Sequence, residues 1–138
     1  MVVDTPFKKH NPSKPDRLME MMNAQFAFQT ENDYDPPIHE VASAIMSEGG
    51  ELWSISGGKW WKEYLKKQGT SGHLNRMNAF SYMKKVEQVN HDKIVEESID
   101  VLHFLLTVWI QAKVTPQQVF DAYMGKMEVN KKRQKEHY

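Results

Sequence analysis

The sequence predicts an all-α fold, an antiparallel helical bundle of four to six helices. Three observations carry that reading. Apolar residues recur at three- and four-residue spacings along most of the chain after residue 16. No stretch alternates apolar and polar residues as a half-buried strand does. The connections between helical segments are short, which favours antiparallel neighbours.

Taken in order, residues 1–15 read as an extended arm, because Pro6, Pro12 and Pro15 hinder regular structure. "DRLMEMMNAQFAFQTE" is the first helix, with Leu18, Met21, Met22, Gln25, Phe26 and Phe28 or Gln29 at near-helical spacing. "NDYDPP" is a turn, in which Asp35-Pro36-Pro37 stops one helix and Pro37 can begin the next. A second helix is expected from about Pro37 to Ser56, on the stripe Ile38, Val41, Ile45, Leu52 and Ile55. Gly57-Gly58 ends it.

"KWWKEYLKK" reads as a short helix or a turn of one, and "QGTSGH" as a loop. "LNRMNAFSYMKKVEQV" is a further helix, loosely periodic in Leu74, Met77, Phe80 or Tyr82, and Val86. "DKIVEESIDVLHFLLTVWIQAK" gives the strongest signal. It is amphipathic at its start and apolar all round later, so its second half should be buried. Thr115-Pro116-Gln117-Gln118 then opens the last helix. Thr115 can be the cap, Pro116 the first helical residue and Gln118 the return partner of a capping box.

Composition sets outer limits. A chain of 138 residues, 40% of them hydrophobic, can bury a core and reads as one domain. Its 18 basic and 18 acidic side chains balance, which argues against a dedicated duplex nucleic-acid binder. With no cysteine, disulfides and thiolate metal sites are excluded. The first residues hold no apolar run of signal-peptide length. "VLHFLLTVWI" is too short to span a bilayer. The expectation is a cytoplasmic protein that uses neither membrane nor nucleic acid.

Two acidic pairs stand where apolar residues would be expected. Glu48 and Glu51 lie three apart on the second helix, and Glu48 falls on its apolar stripe. Glu97 and Asp100 lie three apart on the strongest helix, and Glu97 is three after Ile94 and four before Val101. Carboxylates turned toward a core are costly unless paired or metal-bound. Four of them together would also repel. A hard divalent cation such as Mg²⁺, with Mn²⁺ as a substitute, resolves both problems through oxygen ligands. A single pair of this kind commonly decorates a solvated face. Two pairs on apolar stripes of separate helices are harder to explain that way. Near the C-terminus, Lys126, Asn130 and Arg133 share one helix face. A metal with convergent Lys and Arg is the usual equipment for a di- or triphosphate.

The ordered set "EGGELWSISGGKWWKEY", "EESIDVLHFLL" and "YMGKMEVNKKRQ" resembles the all-α dNTP pyrophosphatases. Within them it is similar to the dimeric dUTPase branch and its phage dCTP/dUTP pyrophosphatase relatives, cousins of MazG. The likeness runs from the first helix to the C-terminus. It implies Mg²⁺ held by Glu48, Glu51, Glu97 and Asp100. It implies that one helix-two glutamate, Glu51 before Glu48, orients or deprotonates the attacking water. Lys59 or Lys62, with Lys126 and Arg133, would hold phosphate oxygens, and Asn130 the sugar or phosphate. Trp61 and Phe104 would flank the base, with Tyr123 in the same sugar and base group. Gln25 matches a glutamine that helps read the base. Gln29 stands where relatives more often carry asparagine, which leaves the base open, and His137 stands where they tend to carry glycine, which implies that a phosphate-closing tail behaves differently here. The implied reaction is dNTP and water to dNMP and pyrophosphate, with dUTP and dCTP favoured. A homodimer or homotetramer in a bacterial or phage-infected cell is the implied setting.

Other features are weighed against plainer roles. Of Trp60 and Trp61, one is expected to pack and the other to line the pocket. His103 is expected to be a hydrogen-bonded structural histidine near Asp100, not a ligand. "IHEVAS" lacks the second histidine of a zinc-protease motif, and "SGGKW" lacks the form of a phosphate loop. The nine methionines suit irregular core or dimer space. Two readings compete with a dUTP or dCTP pyrophosphatase. One is a MazG-like enzyme for other canonical or damaged dNTPs. The other is a helical module that binds a phosphorylated ligand without turnover, which would need the cations but not four inward acids.

Overall fold

The computed structural model describes residues 16–58 and 76–136, with the backbone alone for 76–80. The regular structure of these residues is helical throughout: α1 (Arg17–Glu31), α2 (Ile38–Trp53), a π turn (Ser54–Gly58), α3 (Arg76–Val89), α4 (His91–Gln111) and α5 (Pro116–Lys135). The all-α class predicted from periodicity therefore stands. The expected arm, "KWWKEYLKK" and the loop after it lie outside the described residues. The chain divides into two compact units, Met1–Tyr34 with Lys113–Tyr138, and Asp35–Ala112.

In the first unit, α1 begins because the Asp16 carboxylate accepts from the backbone N–H of Leu18 at 3.0 Å and of Met19 at 3.3 Å. These are two of the donors that a helix start leaves without partners. Met22 and Gln29 are its buried residues. Phe26 and Phe28, part of the apolar pattern, are exposed. The helix stops where the Asn32 side chain donates to the Phe28 carbonyl at 2.8 Å and Asp33 takes a positive φ of 49°.

The predicted start of α5 is present in full. Gln118 N–H donates to Thr115 Oγ1 at 3.2 Å, and Thr115 N–H donates to Gln118 Oε1 at 2.9 Å, with Pro116 inside the first turn. No described residue of α5 is buried.

In the second unit, Pro37 serves as the N-cap of α2 and not as its first helical residue. Val41 is fully buried, Ile45, Leu52 and Ile55 are half-buried, and Ile38 at the first turn is exposed. The stripe is thus real but frays at its start. The long helix α4 packs along α2 and contributes the buried Leu106 and Thr107. Thr107 hides its hydroxyl by donating to the His103 carbonyl at 3.0 Å.

Two hydrogen-bonded ends fix the direction of this pair. Gln111 Nε2, at the end of α4, donates to Asp35 Oδ1 and to the Pro36 carbonyl, both at 2.7 Å, just before α2. Asn90 Nδ2, at the start of α4, donates at 2.9 Å to the Ile55 carbonyl, just after α2. The helices therefore run antiparallel.

The sequence expectation for the end of α2 was a glycine stop at Gly57-Gly58. The chain first widens into the π turn, where Ser56 Oγ donates to the Leu52 carbonyl at 2.7 Å. Gly57 then breaks the helix with a φ of 97°, and α3 packs there through Met83. A Cβ on Gly57 would have ordinary contact with Met83 Cγ at 3.4 Å, so backbone conformation is the obstacle and space is not. Gly57→Ala is expected to cost about 1–2 kcal/mol, the usual penalty for an L-residue in this region. Urea denaturation would read it as a lower midpoint at unchanged slope.

Candidate metal centre

The α2–α4 pair sets the chemistry. Half-buried Val101, Leu102 and Ile94 on α4 turn the side of that helix carrying Glu97 and Asp100 partly inward. On α2, Ile45 and Leu52 do the same for Glu48. One carboxylate oxygen from each of Glu48, Glu97 and Asp100 lies within 4.8 Å of the others, and all three residues are half-buried. Glu48 thus meets a pair of acids distant from it in sequence, across two antiparallel helices.

The electrostatics follow from that crowding. Burial raises the pKa of the Glu97 carboxyl above its ordinary value. The charges of Glu51, Asp100, Glu48 and Glu96 push it the same way, in that order. Protonation or a cation would relieve the repulsion. The donor set is all oxygen, which suits a hard ion such as Mg²⁺. Ligand oxygens about 2.1 Å from Mg²⁺ stand about 3 Å apart when adjacent and about 4 Å when opposite. The observed spacing reaches that range with small side-chain rotations, so the residues present fit the ion.

Glu51, expected as a fourth inward acid, is exposed and stands outside the trio. Its charge is nonetheless the strongest acting on Glu97. His103, expected to be a hydrogen-bonded structural histidine near Asp100, is exposed. Its Nδ1 lies 3.9 Å from Asp100 Oδ1, too long for a hydrogen bond but close enough for attraction when the ring is protonated. An apolar run gives no sign of which residue in it meets solvent, so sequence reasoning missed this.

The remaining candidates divide by location. Phe104 is half-buried on α4. In the other unit, Gln25 is half-buried and Tyr123 exposed. Gln29 is turned inward, with its Nε2 donating to the Tyr34 carbonyl at 3.4 Å and its backbone carbonyl accepting from Tyr34 N–H at 2.8 Å. It therefore closes the turn after α1. Lys126, Asn130 and Arg133 are all exposed on α5. Their neighbours Lys131 and Lys132 lie 2.7 Å from Glu128 and 3.9 Å from Glu136. Among the described residues neither Lys126 nor Arg133 is ion-paired, which separates the row from the balanced charges around it. Lys59, Trp61 and Lys62 lie outside the described residues, as does His137.

A protein-family model described as dUTPase matches residues 69–119. Over these residues the chain is similar to that family. The matched segment spans α3, α4 and the start of α5, and it includes Glu97, Asp100, His103 and Phe104. Glu48 and Glu51 precede it, and Lys126, Asn130 and Arg133 follow it. No curated protein and no solved structure gives a significant match. The dUTPase match agrees with the likeness read from the sequence motifs. No described helix is long and apolar enough to cross a membrane.

Proposed function

We propose that this protein hydrolyses a deoxynucleoside triphosphate to the monophosphate and pyrophosphate, with dUTP and dCTP as the favoured substrates. The observation that carries the reading is the convergence of Glu48, Glu97 and Asp100, two of them within the dUTPase-matching segment.

In this reading Glu48, Glu97 and Asp100 hold Mg²⁺. The ion supplies charge neutralisation for phosphate oxygens and makes nearby water more acidic. Glu51, exposed and one helical turn from Glu48, is free to join the ligands or to orient and deprotonate the attacking water. Lys126 and Arg133 take phosphate oxygens as charge develops on the leaving pyrophosphate, with Lys59 or Lys62 as further cations. Asn130 bonds the sugar or phosphate. Phe104, Trp61 and Tyr123 supply faces for base and sugar, and Gln25 reads the base edge. Gln29 has a smaller part in that reading, because its side chain already serves the turn after α1. We further propose a cytoplasmic homodimer or dimer of dimers of bacterial or phage origin.

The test is a panel of purified dNTPs and NTPs with Mg²⁺, following monophosphate and pyrophosphate together. Pyrophosphate from dUTP or dCTP is expected. Release of inorganic phosphate in its place, or no turnover of any nucleotide, would refute the assignment.

A further inference from the structure

Asn90 occupies the N-cap of α4, where an asparagine side chain ordinarily accepts from its own helix. Here it makes no such bond. Its amide reaches back thirty-five residues and donates to the Ile55 carbonyl in the π turn at 2.9 Å. Seven residues separate Ile55 from Glu48, and seven separate Asn90 from Glu97. The bond therefore lies two helical turns from the carboxylate trio along both helices. Gln111 forms the staple at the opposite end, farther from the trio.

We propose that Asn90 is a positioning residue that sets the register of α4 against α2, and with it the distance from Glu48 to Glu97 and Asp100. The proposal rests on the metal-dependent reading above. Its physical basis is the narrow tolerance of a metal site. A slip of one residue moves a helical side chain by 1.5 Å and turns it by about 100°. Ligand distances need to hold to within about 0.2 Å. Apolar packing along α2 and α4 favours contact but is forgiving of small slides. A directional hydrogen bond near the cluster is not.

Asn90→Asp separates positioning from stability. Aspartate is as good an N-cap as asparagine and suits the positive end of the helix. It lacks the N–H that Ile55 accepts. Its added negative charge would, if anything, favour a cation, so weaker binding could not be blamed on charge. Thr115→Ala is the control, since it breaks the capping box of α5 and costs about 1 kcal/mol while leaving the sequence of α2 and α4 unchanged.

The experiment titrates each full-length protein with Mn²⁺ alone and follows free ion by its paramagnetic resonance signal. Thermal midpoints are recorded in chelator. Asn90→Asp is expected to bind Mn²⁺ about tenfold more weakly, in the range seen when residues supporting metal ligands are lost. Its metal-free midpoint should stay near that of the unaltered chain. Thr115→Ala should melt earlier and bind Mn²⁺ normally. Equal Mn²⁺ affinity in Asn90→Asp and the unaltered chain overturns the positioning role alone. So does equal weakening in Thr115→Ala. An unaltered chain that binds no Mn²⁺ overturns the carboxylate reading and the positioning role together. If Asn90→Asp does not fold, Asn90→Ala is judged by the same comparison.

Discussion

Glu97→Gln is expected to make the metal-free protein melt higher at neutral pH while removing most of its response to Mg²⁺. The carboxyl of Glu97 is raised from its ordinary value of 4.5 by burial first, and then by Glu51, Asp100, Glu48 and Glu96. A carboxyl that holds its proton more tightly when folded adds stability at low pH. That contribution is complete below the unfolded value of 4.5 and is lost as pH rises through the higher folded value. Above that window the folded chain carries the repulsion undiminished. Glutamine keeps the shape and removes the charge. The gap between variant and unaltered chain should therefore open as pH rises from 4.5 and then level off. Melting in chelator across pH 4 to 8 reads the gap. With Mg²⁺ at about a hundred times its dissociation constant, the unaltered chain should gain about 2.7 kcal/mol. The variant, lacking a ligand from the trio, should gain far less. A gap that closes with rising pH would contradict the electrostatic account.

Glu51→Gln should behave differently. Its side chain is exposed and outside the trio, so helix content should change little, and melting in chelator should rise slightly because its charge acts on Glu97. Turnover should fall by about 10²–10⁴-fold, the loss expected when a general base is removed. The Michaelis constant should move only modestly. Pyrophosphate release with dUTP or dCTP measures the first, and nucleotide titration the second. Normal turnover would take Glu51 out of the proposed water-activating role. The two glutamine variants together test whether charge that binds the ion and charge that activates water reside on different side chains.

The sequence was most informative where the physics is local. The capping box of α5 needs only residues 115–118 and could be read as it stands. Helical phase alone put Glu48 among apolar neighbours, and the half-buried carboxylate agrees. The same reasoning paired Glu51 with it too closely. Residues three apart share a face but differ by about 60° in direction, enough to move one from the flank of a core into solvent. His103 misled for a related reason, because a run that is apolar all round has no phase. Gln29 could be placed on an inward stripe but not assigned to a turn, since the Tyr34 carbonyl it serves depends on the chain reversing. The bond from Asn90 to Ile55 is the least readable of all. Nothing in either residue announces a partner thirty-five positions away.

The π turn after α2 has a practical consequence for comparing or redesigning this chain. Its ladder closes over one residue more than an ordinary turn, so the helical phase inherited from α2 is lost across Ser54–Gly58. A helical wheel drawn straight from α2 through those positions would misplace them by about 100° per extra residue. Alignments with relatives that lack the wider turn should carry a one-residue gap there. Grafts onto another scaffold should be cut at Trp53 and should not be carried past it.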